Sequence, residues 1–261
     1  MRAAIPQTLK RVVRAIPSFI TADKRRYFAS ATYKRLYHVH IRKCGGTSVN
    51  MMFLKQIAGQ GDAEDAYDRL SKDPDHRVVV SGIPIVGWNQ RMIERGAYGF
   101  GFSHIPYHEM TLPKDTYSFL LLRDPASRVV SHYAMLRSFI ERSIAHPCLK
   151  VEGYWAEDGF DAFLERVPRE HLERQLYMLD RHFAPDRALR RLSTISNVKM
   201  LSDLDRLVAE INDEFQLNLK PIHTRKAATP FRPDDTQRQK LEGLLEAEYR
   251  FLEKAREAGT L

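Results

Sequence analysis

Between His40 and Ser48 the chain reads HIRKCGGTS, which sets a lysine, two adjacent glycines and two hydroxyls within six positions. That combination suits the holding of an anion. Gly45 and Gly46 let the backbone approach a ligand with no Cβ in the way, and successive N–H groups in such a turn point into one concavity. Lys43 adds a full positive charge, and Thr47 and Ser48 add hydroxyl donors. Cys44 stands beside the lysine, whose charge would acidify the thiol; the competing reading is an inert, packed thiol. The lysine precedes the glycines, so this is not the G-x-x-x-x-G-K-[ST] loop that cradles nucleoside triphosphates. Nor is it the G-x-G-x-x-G of dinucleotide folds.

A second anion site is expected at Arg123, which ends the apolar run YSFLLLR and is followed by Asp124-Pro125, with Ser131 two turns further on. A guanidinium at the end of such a strand must find a partner: a ligand, or Asp124 or Glu165 in a structural ion pair. Ligands of open α/β sheets gather at the carboxyl ends of the strands, so Lys43 and Arg123 should face one crevice if their strands are neighbours.

Proton removal points to histidine, whose ordinary pKa lies near neutrality. His104, in SHIPYHEM, ends a third apolar run and should project at the same edge; His108 and Glu109 are its rivals for the part of base. His38 and His40 alternate on the first strand, where packing explains them equally well, and His132 should point elsewhere. The Arg225-Lys226 pair, near His223 in a proline-bearing loop over 219–233, is placed to cover a ligand, the competing reading being a solvated charged loop. Arg137, Arg142, Tyr154 and Trp155 fall where an acceptor would lie, with a sugar stacked on Trp155.

The elements that must position these groups follow from hydrophobic periodicity. Strands are predicted over 36–41, 77–81, 98–104, 117–123 and 198–201, and the wholly apolar character of the fourth marks a central strand covered on both faces. Helices are predicted from Val49 to about Gly59, from Pro125 through Ile140, and over 160–166, 169–180, 186–195, 203–215 and 234–257. Asp124 is a helix cap, with Pro125 in the first turn. The fold class expected is α/β: a central parallel sheet flanked by helices, a strand-loop-helix unit carrying the glycines, and a helical C-terminal half. Residues 33–261 should form this domain, preceded by a basic amphipathic segment over 1–32.

Composition narrows the partners. The 261 residues hold 43% hydrophobic and 28% charged side chains, which excludes wholesale disorder and a disulfide-stapled miniprotein. No run approaches the ~18 apolar residues of a membrane span. The 41 Lys and Arg outnumber the 33 Asp and Glu, a net charge of +8 that favours an anionic partner. Two cysteines are too few for a zinc ribbon, and they fit a reducing compartment. Lys10, Arg11 and Arg14 interrupt the apolar core that a signal peptide would need. A cytoplasmic location is expected, with peripheral membrane contact through residues 1–30 as a second reading.

HIRKCGGTS resembles the HIPKTGGTS phosphosulfate loop of the Golgi-type carbohydrate sulfotransferases and their bacterial relatives. LLRDPASRVVSHY, Leu121 to Tyr133, resembles their LRDPxxRxxSxY motif. Order and separation of the two blocks agree, with weaker likeness from about residue 36 to the end, including Gln175-Leu176-Tyr177. The resemblance implies transfer of a sulfuryl group from 3′-phosphoadenosine 5′-phosphosulfate (PAPS), without a metal, to an acceptor hydroxyl of a glycan or glycolipid, anionic in one version. It implies that Lys43 offsets charge on the leaving group, that Cys44, Gly45, Gly46, Thr47 and Ser48 line the phosphosulfate, and that Arg123 and Ser131 hold the 3′-phosphate. It further implies that Arg225 and Lys226 close over the nucleotide and that His104 is the base. Arg42 replaces the family's proline and Cys44 its threonine. Two readings of other classes compete: a kinase-like phosphotransferase, and a basic module binding nucleic acid or membrane.

Overall fold

The computed structural model describes residues 27–59, 61–222 and 231–261. The N-terminal segment over 1–26, and with it most of the expected membrane-contacting stretch, lies outside the described residues, as do His223, Arg225 and Lys226.

Six strands form one sheet: β1 (Arg35–Val39), β2 (Arg77–Val80), β3 (Ile83–Gly87), β4 (Phe100–Ser103), β5 (Thr116–Leu122) and β6 (Asn197–Met200). Their order is β2-β3-β4-β1-β5-β6. Every neighbouring pair is parallel except β2 and β3. β1 is therefore central, flanked by β4 and β5, with Val39 opposite both Ser103 and Leu120. All residues of β1 and β5 are buried, as apolar runs covered on both faces must be. The α/β architecture expected from the sequence is the one observed.

The helices that matter to the site are α1 (Gly46–Ala58), α2 (Pro125–Glu141), α3 (Leu149–Glu152), α4 (Arg174–Leu179) and α5 (Glu246–Glu257). α1 lays Val49, Met52, Phe53 and Ile57 on the sheet, with the Phe53 ring stacked 4.3 Å from that of Phe100. α2 starts as its sequence dictates: Asp124 accepts a bond from the Ser127 N–H at 2.8 Å, and Pro125 occupies the first turn. A second apolar cluster, with Tyr133, Trp155, Phe160, Phe163 and Leu241, lies beneath the helical C-terminal half.

Four expectations need correction. β3, with Pro84 inside it, is a strand that the sequence reading lacks; Ser81 and Gly82, both with positive φ, make the tight hairpin that joins it to β2. A helix over 63–72 is likewise unread. The predicted helix over 169–180 breaks at Glu173 into two short helices. The long C-terminal helix breaks at Leu245, whose φ of −107° and ψ of 10° depart from helical values.

Candidate functional site

The strand-loop-helix unit is built at the carboxyl end of β1. Lys43 takes φ +69° and Gly45 φ +78°, and α1 begins at Gly46. Gly45, at the helix cap, has no side chain to bond the first N–H groups, and no acidic residue stands in the first turn. The positive end of α1 is thus left for an anion. Each glycine is also demanded by its neighbours. A Cβ on Gly45 would lie 2.6 Å from Leu201 Cδ1, and one on Gly46 would lie 1.8 Å from the His40 ring. Thr47 and Ser48 are half-buried in the first turn.

Arg123 follows β5 and turns back to this loop, its guanidinium donating to the Lys43 carbonyl at 3.1 Å. Among the described residues it forms no ion pair with a carboxylate, so the structural-pair reading does not hold. Asp124 instead accepts from Ser127 and from the Tyr249 hydroxyl at 3.2 Å, and Glu165 pairs with Lys240. Burial pushes the Arg123 guanidinium below its usual range.

A residue the sequence reading did not use holds this corner. The Gln175 side chain accepts from the Arg123 N–H at 2.7 Å and donates to the Arg123 carbonyl at 3.0 Å, as a neighbouring strand would. Its Oε1 also receives the Cys44 thiol at 3.5 Å. Buried Glu248 on α5 anchors the start of α4 by accepting from the Gln175 and Leu176 N–H groups. Cys44, read as lining the ligand, therefore turns its thiol inward. Burial pushes that thiol up to about 12, the opposite of acidification.

His104 closes the third side, directly after β4. Its Nδ1 donates to the His40 carbonyl at 2.8 Å, which fixes the tautomer and leaves Nε2 with a lone pair. Burial, with further depression by the nearby Arg42 and Arg174 charges, holds its pKa down to about 4, so the ring is neutral at pH 7, with Nε2 unprotonated. The ring is the last of a row, 4.1 Å from the His40 ring, itself stacked 5.1 Å from His38. Asn50 of α1 orders the row: its Oδ1 accepts from His38 Nδ1 and its Nδ2 donates to His40 Nδ1. The rivals lie apart from this row. His108 packs edge-on against Tyr177 and pairs with the exposed Glu109 at 3.5 Å.

Further charge collects around the loop. Arg42 makes a two-bond ion pair with buried Glu152 of α3, and the same carboxylate accepts from His132 at 2.9 Å. Those bonds keep Glu152 ionised, with its pKa down to about 2 against the opposing effect of burial. The donor atoms of His132, Glu152 and His171 lie within 4.8 Å of one another, but the carboxylate is already spent on a guanidinium. Arg128 is buried and donates to the His171 and Leu172 carbonyls. Arg174, at the start of α4, donates to the His104 carbonyl at 2.8 Å.

Other predicted residues are not drawn in. Ser131 is half-buried on α2, with no hydrogen bond from its hydroxyl among the described residues. Arg137 is taken by the Ala156 and Glu157 carbonyls and by Glu141, and Arg142 is exposed at the end of α2. Trp155, expected to stack a sugar, is 2% exposed and packs against His132 and His171, whereas Tyr154 is 54% exposed. Gln175 had a sequence signal in the weak block around it; Glu152, Arg174 and Asn50 had none.

No protein-family model matches this chain, and no curated protein does. Among solved structures, it is similar to the crystal structure of a sulfotransferase from Alicyclobacillus acidocaldarius, over 84% of this chain and 94% of that one. The identity is 13% and the TM-score 0.38, a likeness too loose to bear on the chemistry of the site. Among the described residues no helix is long and apolar enough to cross a membrane.

Proposed function

We propose that the protein is a sulfotransferase that moves a sulfuryl group from PAPS to an acceptor hydroxyl. The observation that carries this reading is the meeting of the two motif blocks: the Arg123 guanidinium on the carbonyl of Lys43, at the ends of adjacent parallel strands. An adenylate charged at both its 5′ and 3′ positions needs two cationic anchors a short distance apart, and a triphosphate-binding loop offers no equivalent of the second.

In this reading the α1 N-terminus and the N–H groups of Gly46, Thr47 and Ser48 receive the 5′-phosphosulfate. Arg123 receives the 3′-phosphate, with Ser131, Arg225 and Lys226 as further contacts proposed from the resemblance. The acceptor oxygen attacks sulfur in line; its bond to sulfur forms as the bond from sulfur to the bridging phosphate oxygen breaks. The acceptor proton passes to Nε2 of His104, whose Nδ1 hydrogen bond to the His40 carbonyl stabilises the imidazolium as it forms. Lys43 offsets the charge that grows on the departing 5′-phosphate, so its charge counts most in the transition state. No metal has a part in these steps, and the site is proposed to work in the cytoplasm.

The test is thermal stabilisation by adenosine 3′,5′-bisphosphate against ATP with magnesium. A ligand at a hundred times its Kd adds ~2.7 kcal/mol to stability, a shift readily seen. A larger shift with ATP and magnesium would favour phosphoryl transfer and end the sulfotransferase reading.

A further inference from the structure

β4, β1 and β5 lie side by side, and adjacent strands are spaced by about 5 Å. The groups that follow them are therefore set out in a row: His104 after β4, the Lys43 loop after β1, and Arg123 after β5. The nucleotide of the proposed reaction takes the loop and the Arg123 side. The β4 side is left for the acceptor, and of the two cations whose fields reach His104 among the described residues, Arg42 is paired with Glu152 and one is not.

That cation is Arg174. It is half-buried and lies 5.6 Å from the centre of the Tyr177 ring, and its one hydrogen bond among the described residues is the donation to the His104 carbonyl. Its Nε is buried without an acceptor, and no carboxylate among the described residues forms an ion pair with it. Glu152, a carboxylate whose field reaches Arg174, is spent on Arg42 and His132. Burial and the fields of Arg42 and Arg128 hold the Arg174 pKa down to about 10. A guanidinium kept so, beside two others and without an anion, is costly unless something supplies the anion.

Resting on the sulfotransferase reading, we propose that Arg174 receives a carboxylate of the acceptor, held next to the hydroxyl that gives its proton to His104. Arg174 touches the backbone of His104, so the anion and the reacting hydroxyl must lie within a few ångströms of each other. A sugar acid carries both on one ring; a neutral glycan lacks the anion. The planar fork of arginine suits a carboxylate better than the point charge of lysine does.

The experiment uses the full chain. Calorimetry first measures adenosine 3′,5′-bisphosphate binding to the wild type, Arg174→Gln and Arg174→Lys. Hyaluronan tetrasaccharide and its carboxyl-reduced form are then titrated into each nucleotide-loaded protein. The expected result is at least tenfold weaker binding of the reduced sugar to the wild type. In Arg174→Gln the two sugars should bind equally and the nucleotide within twofold of wild type, with Arg174→Lys between. If Arg174→Gln does not fold, Arg174→Lys carries the comparison. Equal binding of both sugars to the wild type, binding of neither, or an equal loss for both in the variant overturns the acidic-acceptor proposal while leaving nucleotide binding intact. A wild type that fails to bind the nucleotide instead overturns the sulfotransferase reading, and this proposal with it.

Discussion

Arg123 donates to the main-chain carbonyl of Lys43 at 3.1 Å, across a gap of 80 residues in sequence. One side chain thereby ties the end of β5 to the loop that follows β1. Gln175 fixes the Arg123 backbone from the far side.

Replacing Arg123 should therefore do two things. Charge-assisted hydrogen bonds are worth ~1.5–3 kcal/mol, so Arg123→Gln is expected to weaken adenosine 3′,5′-bisphosphate roughly 10- to 100-fold. Adenosine 5′-monophosphate, which lacks the 3′-phosphate, should lose much less. Calorimetry on the two nucleotides checks this, and an equal loss for both would mean that Arg123 serves the loop alone.

Gly46 makes a packing prediction. Its missing Cβ leaves room for the His40 ring, which an alanine would meet at 1.8 Å. Overpacking of this kind costs ~1–3 kcal/mol, and the ring cannot retreat without disturbing its bonds to Asn50 and its contact with His104. Gly46→Ala is expected to lower the melting temperature by several degrees and to reduce nucleotide affinity as well. A variant with unchanged melting temperature would show that the histidine row can shift at little cost.

The two blocks were legible in the sequence because local rules govern them. An apolar run, a turn with glycines and an apolar helix form one unit, and Asp-Pro starts α2 wherever the rest of the chain goes. The clamps were not legible, because each joins residues brought together only by the fold: Gln175 meets Arg123 across 52 residues and Arg42 meets Glu152 across 110. For Cys44 the packed, inert thiol was one of two readings open from the sequence, and burial, a tertiary fact, decides for it by raising the thiol. β3 stayed hidden because Pro84 obscures a strand that pairs on both sides.

Buried neutral histidines set the response to acid. The pKa values of His38, His104, His132 and His171 are each held down to about 4, in every case by burial first, against an ordinary value of 6.5. The unfolded chain therefore binds more protons below pH 6.5, and stability is expected to fall as the pH drops from 6.5 towards 4. A fully buried ring such as His38 contributes ~1.4 kcal/mol for each pH unit in that window. Urea midpoints at pH 7.5 and 5.0 measure the effect, and His38→Gln should reduce the difference between them. Midpoints that agree at the two values would mean that these rings are protonated in the folded protein.

In the proposed mechanism turnover depends on His104. Removing a positioned base costs ~10²–10⁴ in rate, and the ring makes no bond to the loop glycines or to Arg123. His104→Ala is thus expected to abolish most sulfuryl transfer while the Kd for adenosine 3′,5′-bisphosphate stays within a few-fold of wild type. Lys43→Ala should differ, lowering both the rate and the affinity, since its charge meets the nucleotide before the reaction and the leaving group during it. The two variants must be compared with the same donor and acceptor. If His104→Ala lost nucleotide affinity in parallel with turnover, the ring would be supporting the loop through His40 instead of taking the proton, and the base would have to be sought at His108 or Glu109.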